Sequence, residues 1–288
     1  MAKTTVKRNK FYILLFSILI IFIFQDSIFS LLENHNNLGH YGLIIAHRGA
    51  SGLAPENTLA AIKKAIELNA DIIEVDVHQT KDSVLVVIHD IAIDRTTNGE
   101  GKIENMYYNH IRQYDAGEWF NSSFRGEKIP TLDEVLSLVN GQTKLMIEIK
   151  ENDKIYPNIE YHTYKLLKQH NALTWCIIQS FNDQVLHNFY ELDSNLVLNK
   201  LLVMDFPYIP ILIDNLINFG KITSYKNEIE AININSHFIS NRLLKHLHES
   251  GFEVNVWTVN DSTKIEEFFR MGIDGVITNY PNYKRRSP

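Results

Sequence analysis

Strand-like and helix-like stretches alternate along most of this chain, and that alternation limits the folds open to it more than any other feature. Short runs rich in β-branched residues occur at residues 43–46, 72–77, 144–149, 174–179, 196–203, 231–234, 253–259 and 275–278. Between them apolar residues fall at helical spacing. Leu59, Ile62, Ala65 and Ile66 share one face behind Pro55-Glu56-Asn57-Thr58, where Asn57 or Thr58 can cap the helix. Thr131 and Glu134 form a capping box, with Leu132, Val135, Leu136 and Val139 on the inward face. Gly272 is placed to end the last helix. Eight strand–helix units in about 250 residues is the size of an α/β barrel of the (β/α)8 TIM type. Residues 91–129, rich in turn residues and aromatics, break the rhythm and read as a small insertion.

One unit carries charge where a buried strand should not. Glu74 and Asp76 lie two residues apart in an otherwise apolar strand, so both side chains share a face. Two like charges on such a face are costly unless a cation lies between them. Lys81-Asp82-Ser83 then reads as a turn, and residues 84–88 as a strand running back, which returns His89 beside the acids. His78 is assigned to the face away from Glu74, with a packing or solvent role.

In barrels of this type the chemistry gathers at the C-terminal ends of the strands. Those ends carry His47 and Arg48, then Glu74 and Asp76, then Glu148 and Lys150, and finally Trp257. Glu74, Asp76 and Glu148 offer only oxygen, which implies one hard divalent cation, Mg²⁺ or Ca²⁺, ahead of zinc. Arg48 and Lys150 suit a phosphate oxyanion. His47 and His89 titrate near neutrality and can act as an acid and base pair. Together these residues point to metal-assisted attack on a phosphoester.

The motifs that hold these residues resemble those of the glycerophosphodiester phosphodiesterase family. They are His47-Arg48-Gly49 through Pro55-Glu56-Asn57-Thr58, Glu74-x-Asp76-Val77, His89-Asp90 and Glu148-x-Lys150. The likeness extends through Asp94-Arg95-Thr96-Thr97-Asn98-Gly99, residues 115–120 and Ile129-Pro130-Thr131-Leu132, and it closes with residues 257–260 and 275–281. It implies a TIM-type barrel with a small insertion, and hydrolysis of a glycerophosphodiester to glycerol 3-phosphate and the head-group alcohol. It gives His47 and His89 the acid and base roles and makes Glu74, Asp76 and Glu148 the metal ligands. Arg48 and Lys150 would bind phosphate, and Trp257 would line the substrate pocket. Glu56, in a loop that the resemblance puts over the site, takes a substrate-binding or supporting role. The nucleophile is left open between water and a glycerol hydroxyl. Asn279 departs from the pattern, since relatives often carry Asp there; the departure bears on a contact behind the site and not on the metal ligands.

The N-terminus is a different material. Lys3, Lys7, Arg8 and Lys10 precede an uncharged apolar run over residues 11–24, and continuing to Leu32 reaches about 20 residues, near a bilayer's thickness. No Ala-x-Ala site follows, which favours a signal-anchor helix over a cleaved signal. Residues 1–32 are thus expected to anchor or export the chain, 33–40 to be a polar linker, and 41–288 to form the barrel, working outside the cytoplasm at a membrane face. A net charge of −6 excludes sequence-independent nucleic-acid binding. The single cysteine, Cys176, cannot form an intrachain disulfide. The expected partner is a small glycerophosphodiester. The alternatives are a lysophospholipase D acting on lipid and a silent binding protein of the same fold; the full set of polar residues argues against the latter.

Overall fold

All eight residues of the strand Ile72–Gln79 (β2) are buried, charged and apolar alike, so this strand is covered on both faces. Its neighbours explain the cover. The computed structural model describes residues 42–150, 155–202 and 227–282. Around β2 stand the strands Leu43–Ala46 (β1), Leu85–Val87 (β3), Lys144–Ile149 (β4), Cys176–Ser180 (β5), Val197–Leu202 (β6), Ala231–Asn235 (β7), Glu253–Trp257 (β8) and Gly275–Thr278 (β9). The sheet order is β1-β9-β8-β7-β6-β5-β4-β2-β3, and a further β1–β2 pairing, Ile45 opposite Ile72, closes it. Except for β3, every pairing is parallel. The result is the closed eight-stranded parallel barrel that the repeating pattern predicts, with helices outside.

Those helices are Leu59–Glu67 (α1), Leu132–Val139 (α2), Ile159–Gln169 (α3), Asp183–Leu192 (α4), Asn241–Glu249 (α5) and Ser262–Met271 (α6). Local chemistry marks their ends. Thr58 caps α1 by accepting from the Ala61 N–H, and the Thr131–Glu134 capping box is present on α2. Gly272 ends α6 at a φ of 97°, a left-handed position that suits glycine.

Period-two alternation divides the barrel in two. Ile73, Val75, Val77, Leu145, Ile147, Cys176, Ile178, Ile232, Ile234, Val254 and Val256 face outward into the main core beneath the helices. Ile45, Ile72, Met146, Ile177 and Ile277 face inward and fill the barrel floor. The inward row continues towards the C-terminal ends with polar side chains, so the apolar floor supports a polar mouth.

The strand β3 runs antiparallel to β2, with Val77 opposite Val87, His78 opposite Val86 and Gln79 opposite Leu85, as the hairpin reading requires. Residues 91–129 follow as short turns, including a single helical turn at Tyr108–Ile111. They pack on a small core of their own, made by Val86, Ile88, Ile93, Ile103, Ile111, Ala116 and Ile129.

His78 needs correction. It is two residues beyond Asp76, and alternation puts it on the same side as Glu74 and Asp76, not opposite. The ring is buried, with Nε2 2.9 Å from the His89 carbonyl and Nδ1 2.8 Å from the Tyr156 hydroxyl. Burial pushes its pKa down to about 4. The packing role stands; the face does not.

The expected signal segment and linker lie outside the described residues. Among the described residues, no helix is long and apolar enough to cross a membrane.

Candidate active site

The turn that leaves β1 is bent so that its backbone serves the acids of β2. Arg48 and Gly49 both take positive φ, 53° and 74°. The Arg48 N–H donates to Glu74 Oε2 at 2.9 Å, and the Gly49 N–H donates to the Glu74 carbonyl at 3.0 Å. A Cβ on Gly49 would lie 2.7–2.9 Å from atoms of Ala61, so only glycine lets this turn lie against α1. Asn57, also at positive φ, does not cap the helix. Its Nδ2 donates to Asp76 Oδ2 at 2.7 Å and its Oδ1 accepts from the Asp76 N–H at 3.2 Å, which fixes that carboxylate.

The register of β2 and β4 brings the three acids together. Asp76 lies directly opposite Glu148, and Glu74 one inward step below. All three are buried, and one oxygen from each lies within 4.8 Å of the others. Lys150 Nζ is 2.9 Å from Asp76 Oδ1 and 2.7 Å from Glu148 Oε1, while Arg48 Nε is 3.4 Å from Asp76 Oδ2. Lys150 thus serves both Asp76 Oδ1 and Glu148 Oε1, and both oxygens are buried from water.

The charges do not balance. Burial, aided by the Asp76 and Glu148 charges, pushes the Glu74 carboxyl well above the usual range. Burial pushes Glu148 up to about 7 despite the pull of Lys150. At Asp76 burial is outweighed by Lys150 and then Arg48, which hold it below the usual range. Three buried carboxylates that share the two charges of Lys150 and Arg48 fit a hard divalent cation, whose charge would let all three ionise together.

Both histidines flank this cluster, each tied through Nδ1. His47 Nδ1 is 2.7 Å from Asn279 Oδ1, and His89 Nδ1 is 2.7 Å from Asp90 Oδ1. An amide or carboxylate oxygen only accepts, so each Nδ1 carries the proton and each Nε2 keeps a lone pair. Burial, with Arg48 beside it, lowers His47 to about 4; burial lowers His89 as well, with Asp76 opposing. The departure at Asn279 therefore falls on the partner of His47.

His47, Arg48, Glu74, His89, Glu148, Lys150 and Trp257 all line one pocket of about 190 Å³. Phe181, Leu201 and Ile277 complete an apolar wall, with Phe181 edge-on to Trp257 at 5.8 Å. Glu56 stands behind this lining: its two oxygens accept from Arg48 and Arg95. Sequence reasoning missed Asn57 as a partner of Asp76, and it missed Phe181 and a row of buried amides. Gln179 Nε2 donates to Glu74 Oε1 at 3.2 Å, Asn233 to Gln179 Oε1 at 2.7 Å, and Asn255 to Asn233 Oδ1 at 2.8 Å. Their inward parity on β5, β7 and β8 is the one signal that could have marked them.

Comparison with known proteins agrees with this geometry. The profile of the glycerophosphoryl diester phosphodiesterase family matches residues 47–283, a span that holds every site residue named above. A glycerophosphodiester phosphodiesterase of Caldanaerobacter subterraneus subsp. tengcongensis is 38% identical over 244 residues, covering 83% of this chain and 94% of its own. One from Bacillus subtilis is 32% identical over 254 residues, covering 83% and 84%. A phosphodiesterase of Oleispira antarctica, solved with its product sn-glycerol-3-phosphate, superposes with a TM-score of 0.74 at 26% identity, covering 83% of this chain and 94% of that one. The chain belongs to the glycerophosphoryl diester phosphodiesterase family and is an enzyme of that kind.

Proposed function

We propose that this pocket hydrolyses glycerophosphodiesters to glycerol 3-phosphate and an alcohol, with a divalent cation and with His47 and His89 as the acid and base pair. The reading is carried by one observation: two imidazoles, each tied at Nδ1 to an acceptor, line the same pocket as buried carboxylates that lack enough positive charge. Glu74, Asp76 and Glu148 would hold the cation, Mg²⁺ or Ca²⁺. When bound, it supplies Lewis-acid charge to the phosphoryl oxygens.

The chain's own residues do the rest. Arg48 and Lys150 offer fixed positive charge to the phosphate. One Nε2 takes the proton of the incoming hydroxyl as its oxygen bonds to phosphorus; if that hydroxyl is water the product forms directly, and if it is the substrate's glycerol hydroxyl the cyclic phosphate that results is opened by water in a second, equivalent step. The bond from phosphorus to the alcohol oxygen breaks, and the opposite imidazole, protonated at Nε2, gives that oxygen its proton. Trp257 and Phe181 bound the apolar side of the substrate.

Single His47→Ala and His89→Ala variants test the reading. Each is expected to fold normally and to lose on the order of 10²–10⁴ in kcat. Turnover near the parent rate in either would remove that residue from the chemistry. The basic leader and apolar run before the barrel support a second element of the proposal: the full chain is held at a membrane with the barrel outside the cytoplasm.

A further inference from the structure

We propose that Arg95, at the start of the segment after the hairpin, is a positioning residue for catalysis, setting His89 through Asp90 and Arg48 through Glu56. The inference rests on the acid–base reading of His89 above.

Arg95 donates twice to each of two carboxylates. Nε reaches Asp90 Oδ2 at 2.7 Å and Nη2 reaches Asp90 Oδ1 at 3.2 Å. Nη1 reaches Glu56 Oε2 at 2.9 Å and Nη2 reaches Glu56 Oε1 at 2.8 Å. Each carboxylate then passes the constraint inward. Asp90 Oδ1 also accepts from His89 Nδ1, and Glu56 Oε1 also accepts from Arg48 Nη1 at 2.8 Å. One guanidinium thus joins the loop after β1 to the loop after β3, and it lies between a histidine and a phosphate-binding arginine. It does not line the pocket itself.

Stability alone does not account for this arrangement. The Arg95 side chain is 45% exposed, so water screens its charge, although two-point pairing to Asp90 and to Glu56, the latter 13% exposed, does add something to folding. What it supplies is geometry. Two carboxylates converging on one point would repel without a cation between them, and only a planar fork can bond both in two-point fashion. An ammonium group could neutralise the pair but could not fix both planes. Without the fork, Asp90 is free to turn and the His89 ring loses the partner that commits its proton to Nδ1.

Arg95→Ala and Arg95→Lys, assayed beside His89→Ala in the full chain, test the inference. Both Arg95 variants should lose roughly 10–100-fold in kcat, the usual effect of removing the hydrogen-bonded partners behind an active group. KM should rise as well, because Arg48 is set through Glu56, and the melting temperature should fall only modestly, leaving both variants folded at the assay temperature. Millimolar guanidinium should restore part of the Arg95→Ala rate, whereas it should not help His89→Ala. A kcat within twofold of the parent in either Arg95 variant would overturn the inference, as would a loss that guanidinium leaves untouched. If His89→Ala is inactive while the Arg95 variants are not, this inference alone fails. Parent-like turnover by His89→Ala would bring down the acid–base reading and this inference together.

Discussion

At the scale of the residue, the site is a problem of uncompensated charge. Glu148 sits at about 7 and Glu74 well above the usual carboxylate range, both from burial first. In an unfolded chain both would titrate near ~4.3. Between those values the native state holds protons that the unfolded state has released. These two carboxyls therefore make the metal-free protein less stable as pH rises from about 4.5 through about 7, while His47 and His78, held at about 4, and His89, also lowered, make it more stable as pH rises towards their unfolded value of ~6.5. Asp76 is displaced the other way; its contribution is complete above its unfolded pKa of ~3.9 and does not vary across this window. Scanning calorimetry of chelator-treated protein beside Glu148→Gln, in which the histidine contributions are shared, should show the parent losing melting temperature relative to the variant between about pH 5 and about pH 7.5. Saturating Mg²⁺ or Ca²⁺, which binds the ionised carboxylates, should abolish or reverse that relative loss. A metal-free parent that gains on the Glu148→Gln variant over the same interval would contradict the charge assignment.

At the scale of the element, the turn after β1 and the hairpin after β2 deliver the site, and each depends on backbone more than side chain. Gly49→Ala puts a Cβ against Ala61 at a φ of 74°. Left-handed strain and overpacking together should cost about 2–4 kcal/mol, read as a lower denaturation midpoint at unchanged slope. Turnover should fall too, because the Arg48 N–H would leave Glu74. An active, fully stable variant would mean that the turn has room to spare. Elements of this kind were legible in the sequence where a local pattern decides them. The eight parallel strands, the hairpin, the capping box and the Gly272 terminus all follow from alternation and end-capping chemistry. His78 was legible too, but its parity was misread. What could not be read were contacts between elements distant in the chain: Asn57 on Asp76, Gln179 on Glu74, Asn279 on His47. Each pairs residues 19 to 232 positions apart, and no local period encodes such a meeting.

At the scale of the whole molecule, the barrel separates stability from chemistry. The apolar floor of Ile45, Met146, Ile177 and Ile277 and the core outside it support the fold, while the C-terminal rim is left free to be polar. On the membrane proposal, residues 1–32 have no part in either layer. Removing them should leave a soluble enzyme with the parent turnover, while the full chain should sediment with membranes; a truncated chain that fails to fold would make the segment part of the core instead.

The most direct test follows phosphorus itself. Glycerophosphocholine incubated with the full chain and Mg²⁺ or Ca²⁺ is followed by ³¹P NMR, with a chelator-treated control. The predicted result is a single new resonance, that of glycerol 3-phosphate, growing only when the metal is present. An unchanged spectrum with metal, an equal rate in chelator, or phosphocholine as the product would contradict it.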